Sequence, residues 1–304
     1  MRLQRNFLQK RLVFVMNRDS TRYYVPSGAV PLTGLLKVAG VVLPGTIIAT
    51  LIYAVLVRFT GLLDMRIKGI AMCFFIAGVG AATHYLIHWA MIRNRWFNAL
   101  LGLGIGVYTL YWTWAWFPCA MNNWNPQAIL LNPLHQWEWA TQVADGLWQM
   151  DKKPVEAWQL YTIWGLEALG IVIAGLAGAI QADKPYCEEC LRWTVRSPNG
   201  LTCGAIDEDE LRLNLEHERY DVFNNLPPLP SGPMVLKEKR TLTRFNVDAC
   251  EDCQENFLLT VSKVVITLTK EGARESVKPF IKWMFVPKDV VATLEKIATG
   301  RSIS

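Results

Sequence analysis

The 304 residues are 52% hydrophobic and carry 31 Lys/Arg against 26 Asp/Glu, a formal charge of +5. The apolar fraction, with its positive mean hydropathy, exceeds that of an average soluble chain. Charge is divided unevenly: residues 1–181 hold 14 basic and 7 acidic groups, residues 182–304 hold 17 and 19, so the tail lacks the basic balance that phosphate binding needs and nucleic acid is not an expected partner.

Residues 1–31 read as a basic amphipathic segment. Leu3, Phe7, Leu8, Leu12 and Val15 recur at helical spacing, and Arg2, Arg5, Lys10 and Arg11 supply an opposing face suited to an anionic leaflet. No small-residue cleavage site follows, so the first long apolar run is expected to remain in the protein.

Residues 32–181 are expected to form a four-helix transmembrane domain. A span takes about 20 predominantly apolar residues, and Leu35 to Val57, Ile70 to Ile92, Ala99 to Phe117 and Leu160 to Ile180 each qualify. Lys37 can snorkel to the headgroups, and Pro44-Gly45 should bend the first span. Small residues four apart, Ala77 with Ala81, Gly102 with Gly106 and Ala174 with Gly178, offer surfaces on which helix backbones can approach.

Six basic residues before the first span, with Arg93 and Arg95 between spans two and three, exceed Lys152 and Lys153 in the long loop 118–159. The positive-inside rule then places both termini in the cytoplasm, although Arg58, Arg66 and Lys68 in the first loop oppose it. The outer side collects nine of the thirteen tryptophans (Trp112, Trp114, Trp116, Trp124, Trp137, Trp139, Trp148, Trp158 and Trp164), which reads as an interfacial aromatic belt. Asn132-Pro133 opens a helix to about Met150 that carries Glu138 and Asp145, so it is expected to lie on the outer surface.

Within the spans, His84 and His88 stand one turn apart and Glu167 sits in the last apolar run. Ionisable groups in a bilayer are costly and point to interhelical bonding or to a proton or ion path. The positions of the three along their spans set the histidines near the cytoplasmic end and Glu167 toward the outer end.

After Gln181 the composition changes to that of a small α+β domain, 182–304. Asp207 to Phe223 reads as a helix with acidic residues in its first turn, and Asn225 to Pro233 as a stiff proline-rich loop. Val235 to Val247, Phe257 to Thr269 and Lys278 to Val286 read as strands, and Pro287 to Thr299 as a closing helix.

Two Cys-x-x-Cys pairs, Cys187 with Cys190 and Cys250 with Cys253, bracket this domain. Each puts two soft ligands on one tight turn, and together they supply the four thiolates of a tetrahedral structural Zn²⁺. In a reducing cytosol such thiols are free for metal. Cys203 with His217 offers an alternative third and fourth ligand, and free or redox-active thiols are a further reading. Over residues 186 to about 269 the pairs and their flanking strands resemble a zinc ribbon, departing from it in the 59 residues between Cys190 and Cys250. The resemblance implies a closed site whose metal is structural rather than catalytic.

No phosphate loop, nucleophile elbow or His-Glu-x-x-His motif is present. The expectation is therefore a multi-pass inner-membrane protein that presents a cytosolic zinc module as a docking, scaffolding or regulatory surface, with a place as one subunit of a membrane assembly admitted. Its expected partners are the bilayer and a cytosolic or membrane protein, with self-association also admitted. The rival readings are a transporter or membrane enzyme using His84, His88 and Glu167, and a thiol-redox membrane protein.

Overall fold

The computed structural model describes residues 22–61, 65–121, 138, 141, 149–150, 153–154, 156–180, 184–198, 200–230, 232–233, 238–253 and 255–301. Arg2, Arg5, Lys10 and Arg11, and the helix expected from Pro133, lie outside these residues apart from isolated positions. The chain divides into two compact units, one of residues 27–183 and one of residues 1–26 with 184–304.

The first unit is built from α1 (Leu32–Gly61), α2 (Met65–Trp89), α3 (Arg95–Met121) and α4 (Ala157–Ile180), with a short antiparallel pair, β1 (Gln149–Met150) and β2 (Lys153–Pro154), before α4. Three of these helices, over Leu32–Phe59, Lys68–Trp89 and Ala157–Ile180, are long and apolar enough to cross a membrane. The 27-residue α3 is equally long but rich in Trp and Tyr. α1 continues unbroken through Pro44. Threonine hydroxyls do not stay unsatisfied in this apolar setting: Thr83, Thr109 and Thr113 each donate to the carbonyl four residues back, at 2.8 Å.

Two glycine contacts set the helix spacing. Gly102 and Gly106 of α3 lie against Gly175 and Val172 of α4, where a Cβ at Gly102 would sit 2.6 Å from the Gly175 carbonyl oxygen. On another side of α4, Gly178 meets the backbone of Gly80 in α2, and Ala174 meets it one turn earlier. Two of the three expected small-residue pairs therefore lie in interfaces. Ala77 and Ala81 are exposed instead, because Gly80 presents the face of α2 that α4 uses. Gly178→Leu is expected to destabilise the bundle by several kcal/mol, since backbone cannot move aside as a side chain can. Gly104→Leu, whose Cβ would meet nothing within 4 Å, should leave it unchanged in a detergent melt.

The second unit is sheet-rich. β7 (Lys239–Ala249), β8 (Phe257–Thr269) and β9 (Gly272–Val286) form an antiparallel meander, and β5 (Val195–Arg196) and β6 (Leu201–Gly204) both pair with β7. A separate small hairpin joins β3 (Tyr186–Cys187) to β4 (Arg192–Trp193). Alternation along the strands turns Leu201, Cys203, Phe245, Val247, Leu259, Val261 and Ile281 into one core. Leu211 and Leu215 of α5 (Glu208–Glu216), Phe223 of a 3₁₀ turn (Tyr220–Asn225) and Val290, Val291 and Leu294 of α6 (Lys288–Arg301) pack on it.

The helix expected over Asp207 to Phe223 is thus two pieces. Asp207 caps α5 by accepting from the N–H groups of Asp209 and Glu210. His217 and then Glu218, at φ 59°, end it in a reversal stabilised by the Asn214 carbonyl, which accepts from Arg219 at 2.9 Å.

This second unit begins before the helices do. Tyr23 bridges Met284 of β9, the Tyr24 N–H donates to the Trp283 carbonyl at 2.8 Å, and the Phe285 N–H donates to the Arg22 carbonyl at 2.9 Å. Tyr23 Oη also donates to Glu216 at 2.7 Å. Burial, and then this carboxylate, push the Tyr23 phenol up to about 12. Residues 22–24 therefore extend the C-terminal half of β9, and the helical unit is inserted between two parts of one folded sheet.

Candidate metal centre

The β7–β8 connection is the turn that carries Cys250 and Cys253, while Cys187 and Cys190 sit on the β3–β4 hairpin. What joins the two turns is register. The 59 intervening residues make the β6, α5 and β7 excursion, but the hairpin leads directly into β5, and β5 pairs Val195 with Ala249 and Arg196 with Asp248. The last residues of β7 before Cys250 are thereby laid beside the chain that has just left Cys190. The Ser197 N–H to Val247 carbonyl bond, 2.8 Å, extends this contact.

The outcome is a cluster of Cys187, Cys190, Cys250 and Cys253 whose sulfur atoms all lie within 4.8 Å of one another. Cys187 Sγ and Cys253 Sγ are 3.8 Å apart. Cys187 and Cys250 are buried, and Cys190 and Cys253 half-buried. Four thiolates at this spacing can hold one metal ion with every tetrahedral position filled by protein, which suits a structural role.

Protonation is tuned unevenly across the cluster. Burial raises the Cys187 thiol, with the Cys190 N–H and the Asn256 amide opposing it only in part. Desolvation and then hydrogen bonds with the other thiols raise Cys190. Burial also acts to raise Cys250, but the N–H groups of Cys253 and Asp252 and the thiols of Cys190 and Cys187 outweigh it and bring it below the ordinary thiol value. A metal must therefore displace protons from Cys187 and Cys190, so its uptake is favoured as pH rises.

Two neighbours complete the geometry, and neither is marked by a motif. The Asn256 amide donates to Cys187 Sγ at 3.4 Å and approaches Cys253 Sγ at 4.0 Å, while its carbonyl accepts from the Cys250 N–H at 3.4 Å. It ties both turns together in the way that outer partners orient metal ligands. Arg192, on the first hairpin, pairs with Asp252 on the second turn at 3.0 Å. Both are exposed, so this pair contributes little energy.

Cys203 and His217 are not part of the group. Cys203 is fully buried on β6 within the apolar core, where its Sγ donates to the Gly204 carbonyl at 3.3 Å. Its side of the strand faces the helices, not the turns. His217 caps α5, its Nδ1 2.8 Å from the Leu213 carbonyl.

The ionisable groups of the helical unit are arranged differently from the sequence reading. Glu167 is buried and accepts a hydrogen bond from Tyr53 Oη at 2.5 Å. Its other oxygen faces Lys68 Nζ at 3.8 Å, and the two side chains are 6% and 2% exposed. Lys68 also lies over the Phe117 ring, 5.4 Å from its centre, so α1 and α2 supply the groups that meet the carboxylate of α4 and α3 supplies a ring beside the lysine. Lys68 is thus inside α2 rather than in a basic loop, and one of the three charges set against the expected orientation is internally neutralised. His84 and His88 neighbour each other, ring centres 6.3 Å apart, but do not meet Glu167. Gly178, which packs on Gly80, is eleven residues beyond Glu167, so the histidines lie at least about 16 Å away along the bundle.

The described tryptophans also pack among themselves. Trp114 meets Trp164 edge-on at 5.6 Å and Trp112 lies 5.9 Å from Trp116, whereas Trp158 is largely exposed. Comparison with protein-family models, with curated proteins and with solved structures finds no match to this chain.

Proposed function

We propose that the protein is a four-span integral membrane protein that holds a structural Zn²⁺ on a cytosolic, zinc-ribbon-like module and uses that module as a docking or regulatory surface for a membrane assembly. The observation that carries this reading is the closed set of four cysteine sulfurs on two hairpin turns. A set with no open coordination position favours scaffolding over metal catalysis. Zinc is the metal of choice because thiolate ligands are soft and tetrahedral sulfur sites suit it.

The span number is supported by parity. Residues 22–24 and 184–301 belong to one sheet-rich unit, so they share one side of any membrane and the chain between them crosses an even number of times. Three helices qualify on apolarity, and α3, whose glycines lie against α4, is the natural fourth. Arg93, between α2 and α3, and Arg95, the first residue of α3, then fall on the same side as the sheet, which the positive-inside rule assigns to the cytoplasm. A fluorescent-protein fusion after Ser304 should glow and an alkaline-phosphatase fusion after Lys153 should be active. The reversed pattern would overturn the orientation, and activity of one reporter at both sites would overturn the crossing by α4 and with it the four-span count.

Docking is tested by purifying the full chain in mild detergent. Leu191 projects from the first cysteine turn, 59% exposed at φ 55°, and is the apolar side chain that a docked partner would cover. Leu191→Asp should preserve metal and folding while losing a stoichiometric partner that elutes with the natural protein. A metal-loaded natural protein that elutes alone would refute the docking role.

A further inference from the structure

The cysteine turn of residues 187–190 rests on little regular structure. Its β3–β4 hairpin pairs only Tyr186 with Trp193 and Cys187 with Arg192, and a pair this short has little stability of its own. Besides the Asn256 amide, which donates to Cys187 Sγ, and the exposed Arg192–Asp252 pair, three attachments hold it. One is the four-sulfur cluster. A second is the Pro185 carbonyl, which accepts from both the Thr194 N–H and its hydroxyl at 3.1 Å. The third comes from the far end of the sequence: Tyr24 Oη accepts the N–H of Tyr186, the residue before Cys187, at 3.1 Å.

Tyr24 is itself well placed to act as a strut. Its backbone is bonded to Trp283 of β9, and its ring meets those of Trp283 and Phe285 edge-on at 5.9 and 6.5 Å. Trp283 sits at φ 59° beside the register shift between β8 and β9, so the strand bends where the tyrosine docks. Tyr24 lies three residues before the helical unit begins at Ser27, and Tyr186 three residues after it ends at Asp183. One hydrogen bond therefore joins the segment that enters the helices to the segment that leaves them, next to a metal ligand.

We propose that Tyr24 is a positioning residue of the metal centre, and that metal occupancy in turn locks the N-terminal strand onto β9. The inference rests on the reading of the four cysteines as a metal site. The coupling is reciprocal: whatever the strand contributes to metal retention, the metal contributes to strand ordering. Ordering of the two segments that lead into and out of the helices then depends on metal.

The test uses the full chain in nanodiscs, loaded with Zn²⁺. Tyr24→Phe keeps the ring and removes the acceptor, and metal release to excess chelator is expected to be about fivefold faster, the weight of one ordinary hydrogen bond. Tyr23→Phe removes the bond to Glu216 on the same strand without touching the cysteine turn, and should release metal at the natural rate. In the natural protein, chelation should raise amide exchange in residues 22–26, and in Tyr24→Phe that response should be smaller. Unchanged release from Tyr24→Phe, equal acceleration in Tyr23→Phe, or exchange of residues 22–26 that ignores the metal would each overturn the proposal while leaving the metal site standing. A natural protein that binds no metal would overturn both.

Discussion

Stripping the metal from the full-length protein is expected to raise amide exchange across residues 184–196 and 250–256 by at least about 100-fold while β8 stays protected. The contrast follows from how the two regions are held. Around β8, Leu258, Leu259, Val261 and Val264 are almost fully buried, and the core continues into α5 and α6, an apolar reservoir that does not need the metal. The cysteine turns have no comparable core. Their buried members are Pro185, Tyr186, Cys187, Thr194, Cys250 and Asn256, and without metal Cys187 and Cys190 become neutral thiols. Structural Zn²⁺ binding is worth on the order of 10 kcal/mol where it drives all of folding. Here it supports a sub-region, so the loss is local opening rather than global unfolding. Cys250→Ser should reproduce it, because a hydroxyl is a poor zinc ligand. Exchange measured by mass spectrometry, with metal content read on the same sample at about one ion per chain, decides the matter. A protein whose cysteine turns exchange equally with and without chelator has no structural metal there.

The second large effect is expected in the helical unit. Lys68→Met or Glu167→Leu alone should cost about 3–5 kcal/mol, because each leaves the other charge buried without its partner. The double variant should recover most of that loss, since two apolar side chains of similar size need no solvation. Tyr53→Phe removes only the hydroxyl donor and should cost about 1–3 kcal/mol. Denaturant unfolding of purified protein in mixed micelles measures all four. Additive losses in the double variant would show that the residues do not act as a pair. Single variants that fold as the natural protein but lose an activity in cells would instead favour the transporter or enzyme reading, with Glu167 as its centre and the histidines outside it.

A fragment of residues 182–304 is a poor test object for either question. It lacks Arg22, Tyr23 and Tyr24, hence the bonds to Trp283, Phe285, Glu216 and Tyr186, and exposes a β9 edge that the natural chain covers.

The long apolar runs, the strand Phe257–Thr269 and the second half of β9, read as Lys278 to Val286, were legible in the sequence because each rests on local periodicity and length, whereas residues 272–277 of β9 were not. The cysteine set was legible for a related reason: two ligands on one turn are a local feature, and two such turns imply a third dimension without specifying it. The parts that escaped are those made by distant residues. Tyr24 reads as the end of a basic tail until β9 lies beside it. Lys68 reads as a loop charge until Glu167, 99 residues later, gives it a reason to be buried. Asn256 carries no motif, and Cys203 competes with the true cluster on sequence distance alone. It was strand register that separated them: pairing Cys203 with Thr243 put it on the core face of β6, and pairing Val195 with Ala249 brought Cys250 and Cys253 to the first turn.

Sequence alone thus determined the composition of this protein's two parts and four sulfur ligands, because solvent preference and ligand chemistry are properties of residues and their near neighbours. Only the tertiary structure decided which charges neutralise one another, which small residues touch, and that residues 22–24, ahead of the helices, pair with β9. Those are choices among contacts far apart in the chain, and the free energy that selects them comes from burial and pairing that exist only once the whole is folded.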